Sequence, residues 1–137
     1  MLKILVSSQE AEVRNKIKPR HDMLKQGGRT MMETLVYSAD ISWEPAIGYP
    51  DGTMCKILRT DSSGNTLTMI LNLPPGFVMD DHSHVVTEHH YLLEGEYQAK
   101  GKTYYAGHYH LIPEHTDHGP FRSDSGAVLL VIWESKN

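Results

Sequence analysis

Gly76-Phe77-Val78-Met79-Asp80-Asp81-His82-Ser83-His84-Val85-Val86-Thr87-Glu88 is the stretch on which the reading of this chain turns. In an extended backbone His82 and His84 project to the same side, with side-chain bases about 6.5–7 Å apart. That span suits two imidazoles closing on one ion at about 2.0–2.2 Å each. Glu88 follows four residues after His84, and its carboxylate reaches the same point if the chain bends into the next strand. Two histidines and one carboxylate on one side of a metal leave other positions open, an arrangement that suits Fe(II) and oxygen chemistry. A lone His-x-His is more often an ordinary surface or core pair. Its company argues otherwise here: Glu88, a glycine turn before the pair, and His118 after a further strand and turn.

On either side of this stretch the texture is that of short strands and turns. Thr66–Leu73 alternates cleanly, with Leu67, Met69, Leu71 and Leu73 on one face, and Pro74-Pro75-Gly76 stops it. Thr34–Ser38, Thr53–Arg59, Glu88–Leu93, Glu96–Lys100, Lys102–Tyr105 and His108–Ile112 read as further strands. Ala127–Glu134 is apolar on both faces and reads as a central one. Strands of this length between Gly/Pro turns predict an all-β sandwich or small barrel over residues 30–137. Residues 1–29 form a separate N-terminal segment, expected to pack on a partner subunit. Within it residues 8–26 are the best helix candidate, capped by Ser7 or Ser8, interrupted at Pro19 and ended by Gly27-Gly28.

The motif stretch resembles the cupin superfamily. The first cupin motif runs Gly, five residues, His-x-His, three or four residues, Glu, six residues, Gly; Gly76, His82, His84, Glu88 and Gly95 fit it. Of the second motif, Gly107, Pro113 and His118 fit, whereas its second glycine is His115 here and its final Asn is Arg122. The resemblance implies an antiparallel jelly-roll β-barrel with a short N-terminal helical or extended segment. It also implies that His82, His84, Glu88 and His118 are the metal ligands. Each ligand histidine is then expected to donate its other ring N–H to an acceptor behind it.

Eight of the nine histidines lie between His82 and His118. Strand alternation points His90 inward with Glu88, and His110 inward with Ile112, as candidates for acid/base work near the metal. His89 and His108 are expected on the opposite side. His115 and Arg122 are candidate substrate contacts at the mouth. Tyr91 and Tyr97 read as ordinary strand aromatics.

Composition excludes several classes. The chain has 137 residues, 39% hydrophobic and 22% charged, a soluble globular balance. No apolar run approaches a membrane span, and Met1–Val6 is too short for a signal peptide. The single Cys55 excludes disulfide frameworks and thiolate-rich zinc sites and agrees with a cytoplasmic location. Residues 1–29 carry seven Lys/Arg against three Asp/Glu, and the remainder six against fourteen. The acidic body argues against nucleic acid as a partner.

The expected function is therefore that of a mononuclear metal-dependent cupin, a non-haem Fe(II) dioxygenase cleaving a small oxygen-bearing molecule. The alternatives are a Zn-containing sensor without turnover and a metal-dependent isomerase or lyase on a sugar or keto acid. One divalent ion is expected, Fe(II) first, with Zn, Mn, Ni or Co also compatible. A homodimer is expected.

Overall fold

The computed structural model describes residues 24–26 and 29–135. Two compact units divide at Val36/Tyr37. The first contains a small hairpin: β1 (Leu24–Gln26) pairs antiparallel with β2 (Arg29–Met31). Leu24–Gln26 was expected to end a helix and is instead a strand; the rest of that helix reading lies outside the described residues. Gly27-Gly28 between two short extended runs is a hairpin signal as much as a helix stop. No strand forms over Thr34–Ser38 either. Leu35 is 88% exposed and no neighbouring strand pairs with this stretch, so local propensity finds no support.

The second unit is a curled antiparallel sheet. After a 3-10 turn at Ser38–Asp40 come β3 (Glu44–Pro45), β4 (Met54–Thr60), β5 (Thr66–Leu73), β6 (Phe77–Met79), β7 (Glu88–Ala99), β8 (Lys102–Tyr105), β9 (Tyr109–Ile112), β10 (Phe121–Ser123) and β11 (Ala127–Trp133). The sheet order is β3-β4-β5-β11-β7-β10-β6, with β8 and β9 also paired to β7. β5 has the expected bounds, and its four alternating apolar residues are all buried. β11 lies between β5 and β7, as its two apolar faces require.

β7 closes the curl. Its first half pairs with β11 and β9, its second half with β8 and β10. The register against β11 shifts where Leu92 and Glu94 face Leu129 and Val128, so Leu93 is an extra residue. Such a bulge bends the strand and reverses which side chains point inward. Glu88, His90 and Leu92 are buried before it, Tyr97 and Ala99 after it. Gly95 follows the bulge with φ +78, and its bare α-carbon lets the Gly126 backbone pass close by. Leu92 and Val131 are fully buried at the centre of the core, each contributing about 1.5–3 kcal/mol by burial.

Candidate metal centre

His82 and His84 sit on the loop between β6 and β7, and His118 on the loop before β10. The two loops are tied together through the backbone. His82 N–H donates to the His118 carbonyl at 3.1 Å, and His118 N–H to the His82 carbonyl at 2.9 Å. His115 N–H donates to the His84 carbonyl at 2.7 Å. His115 has φ +55, so it adopts the left-handed conformation that glycine favours. The turn thus keeps its shape with histidine at the glycine position.

These ties bring the three imidazoles together. Ring centroids lie 4.9 Å (His82–His84), 4.2 Å (His82–His118) and 5.1 Å (His84–His118) apart. One nitrogen from each lies within 4.8 Å of the others, close to the spread needed by ligands about 2.0–2.2 Å from one ion. His82 Nδ1 is 2.9 Å from the Asp80 carbonyl and so carries the proton there, leaving Nε2 free. His118 Nδ1 makes a longer contact, 3.4 Å, to the Thr116 carbonyl.

Glu88 opens β7 beneath this trio, 2% exposed. Its Oε1 accepts from His90 Nε2 at 2.8 Å. Its Oε2 lies 2.8 Å from His84 Nε2 and 3.6 Å from His118 Nε2. The short Glu88–His84 approach is not aligned as a hydrogen bond, and both atoms are buried without a hydrogen-bonding partner among the described residues. Two buried donor atoms this close, aimed past each other, fit a shared ion between them. Burial works to raise the Glu88 pKa, but the hydrogen bond from His90 and the charges of His90, His84 and His118 outweigh it and the net shift is downward. Burial lowers the pKa of His84, partly offset by Glu88. Burial and then His82 lower that of His118. The carboxylate is therefore ionised and the His84 and His118 imidazoles neutral at pH 7, the states that bind metal.

The remaining candidates divide. His90 is buried beside Glu88, and His110 stands edge-on to it, ring centroids 6.0 Å apart. His89 is on the other side, between the Tyr109 hydroxyl (2.6 Å) and Glu134 (3.0 Å). His108 is not where it was expected. It stacks on Tyr104 at 3.9 Å and lies 6.1 Å from His110, on the same side as His110, because two residues along a strand return to one face. His115 is exposed at the turn. Arg122 is exposed on β10, while its neighbours Phe121 and Ser123 are buried, so it faces away from the cavity.

Burial pushes the His110 pKa down to about 4, with His90, His108, His118 and Lys100 acting the same way. Between pH 6.5 and about 4 the unfolded chain holds a proton here that the folded chain does not. Stability is therefore lost as pH falls through that window and is unaffected above it. His110→Gln is expected to flatten the fall in stability between pH 7 and 5 by up to one proton, measured by urea unfolding. An unchanged slope refutes this state of His110.

Two aromatic residues at the site escaped the sequence reading. Phe121 is the hub: its ring lies 5.4–6.3 Å from those of His118, Tyr97, His90, His82 and His110. Tyr97 lines the cavity with Glu88, His90 and His118. Alternation counted from Glu88 puts position 97 outside, and only the bulge returns it. Gly95 inside a strand was the available signal. The enclosed space is about 30 Å³, room for an ion and a water or two, and it opens to the outside.

The family model for the ChrR cupin-like domain matches residues 31–135. The chain belongs to the ChrR cupin-like family. No curated protein matches it. This cupin is similar in fold to a putative acetylacetone dioxygenase from Methylibium petroleiphilum PM1, at 20% identity and TM-score 0.66, covering 81% of each chain. It is also similar to an acetylacetone dioxygenase from Acinetobacter johnsonii, at 17% identity and TM-score 0.59, covering 82% of this chain and 79% of that one. A third similar structure is that of Rhodobacter sphaeroides SigE with the anti-sigma ChrR, at 17% identity and TM-score 0.55, covering 98% of this chain and 70% of that one. Among the described residues of the cupin, no helix is long and apolar enough to cross a membrane.

Proposed function

We propose that this cupin holds one divalent ion and is a non-haem Fe(II) dioxygenase acting on a small oxygen-bearing molecule. The observation that carries the reading is the convergence of the His82, His84 and His118 nitrogens on one another, with Glu88 Oε2 2.8 Å from His84 Nε2 and those two atoms otherwise unpartnered among the described residues. Those four side chains would hold the ion. When bound, Fe(II) in such a nitrogen–oxygen set supplies redox chemistry toward oxygen, with coordination positions left for substrate.

The chain's own groups do the rest. His90 grips Glu88 Oε1, so that the other oxygen faces the histidines. Leu71, Leu129 and Phe121 give the cavity apolar walls. His110 is neutral at pH 7 and stands edge-on to His90. The similarity in fold to acetylacetone dioxygenases agrees with this reading.

The family match favours a second reading, a Zn-containing sensor without turnover, because ChrR is an anti-sigma protein. Elemental analysis of untagged protein, then oxygen uptake with Fe(II) and a panel of diketones and catechols, separates the two. Iron-dependent uptake with at least one of these compounds is expected. Zinc alone, with no uptake after iron reconstitution, overturns the dioxygenase reading and favours the sensor.

A further inference from the structure

Alternation along β11, β7 and β9 gives these strands a second set of side chains, pointing away from buried Glu88, His90 and Val131. In register they form the rows Leu130–Tyr91–Tyr109 and Ile132–His89–Leu111, which Ile70 and Thr68 extend onto β5. No residue of either row is Asp, Glu, Lys or Arg. Charges mark only the border. Lys56 and Arg59 on β4 continue the rows, and Glu94 and Glu134 stand beyond them on β7 and after β11.

The rows are nonetheless open. Tyr109 is 55% exposed, Leu111 48%, Tyr91 43% and Ile132 38%, with Leu93 beside them at 41%. A sheet face that meets water carries polar residues at such positions. These five side chains leave on the order of 400 Å² of accessible surface. Half-buried Ile70, Leu130 and Thr68 and the charged border widen the face toward the roughly 800 Å² per partner that a standard dimer buries.

Two observations name the occupant. Both ring nitrogens of His89 are already matched, by the Tyr109 hydroxyl at 2.6 Å and by Glu134 at 3.0 Å. The face therefore asks a partner for apolar surface, not for hydrogen bonds or charge. Residues 30–137 carry fourteen Asp/Glu against six Lys/Arg, so two copies repel over most of their surface. They approach closely only where no charge opposes them, and each copy brings an apolar face of the same twist. Two such faces stack about 10 Å apart with their strands crossing at about −30°.

We propose that the outer face of β5, β11, β7 and β9 is the interface of a closed two-fold dimer of this chain, with the charged border as its rim.

Sedimentation of the full chain over a dilution series tests this, and a dimer is expected. Tyr91→Glu combined with Leu111→Glu places two unpaired carboxylates from each copy between apolar sheets. It should raise the dimer dissociation constant by about 100-fold or more. The circular dichroism spectrum and metal content should be unchanged, because both side chains face away from Glu88 and His90. Val78→Glu is the control, 50% exposed on β6 outside the face, and should leave the dimer intact. Nitration by tetranitromethane, mapped by mass spectrometry, reads the unaltered chain. Tyr105, 68% exposed on β8, should react at every concentration, and Tyr91 only as dilution releases the monomer. A monomeric wild type, a dimer that withstands the double substitution, equal weakening by Val78→Glu, or nitration of Tyr91 in the dimer overturns the interface. A monomer in which Tyr91 is protected overturns it as well, and assigns the face to residues 1–23 of the same chain.

Discussion

His84→Ala is expected to strip the protein of its metal. Wild type purified without a tag should retain close to one ion per chain, and the variant should lose affinity by about 100-fold or more. Removing a group that only orients a ligand costs about 10–100-fold, and removing a ligand itself costs at least the upper end of that range. The geometry makes His84 the most informative choice. Its Nε2 is the nitrogen nearest Glu88 Oε2, at 2.8 Å, and has no hydrogen bond that would give it another purpose. The fold should survive, because the His84 side chain is 29% exposed on a loop and the contact to His115 runs through its backbone. Elemental analysis after dialysis and competition titration with Zn(II) read the loss. Metal content at the wild-type level would show that the ligand set is wrong.

Gly95→Ala is expected to destabilise the fold by more than about 3 kcal/mol. Two penalties act together. The backbone holds φ +78, which a residue with a β-carbon adopts only at a cost. That β-carbon would also lie 2.2 Å from the Gly126 carbonyl oxygen and 3.0 Å from the Ala127 α-carbon. Both obstacles are backbone atoms where the chain enters the central strand β11, so nothing flexible can turn aside. For a domain of this size the loss corresponds to a fall of roughly 10 °C or more in melting temperature. Gly64→Ala is the control: φ is similarly positive at +84, but nothing lies within 4 Å of the added carbon. A loss at Gly95 no greater than at Gly64 would show that the close passage of β7 and residue 126 does not constrain the fold.

The sequence carried the parts of this structure that depend on local pattern. β5 alternates strictly, and burying its four apolar residues fixes its register. β11 is apolar on both faces because it has a neighbour on each side. The His-x-His pair, Glu88 and His118 are legible because their spacing survives any plausible bend of the chain. What stayed hidden depends on single-residue irregularities. The extra residue at Leu93 inverts the inward face of β7, which concealed Tyr97. Phe121 has no pattern of its own, since β10 spans only three residues. His108 shares its parity with His110, so the alternation that turns one inward turns the other the same way. Gly27-Gly28 marks a helix end or a hairpin equally well, and only pairing decides between them.

The two hydrogen bonds between His82 and His118 involve main-chain atoms alone. Any residue other than proline can make them, so the scaffold that spaces the ligands does not depend on which side chains it carries. The proposed ligand set is in this sense a replaceable cassette. Exchanging an imidazole for a carboxylate or a thiolate at position 82 or 118 would recode the preferred ion without redrawing the loops that present it.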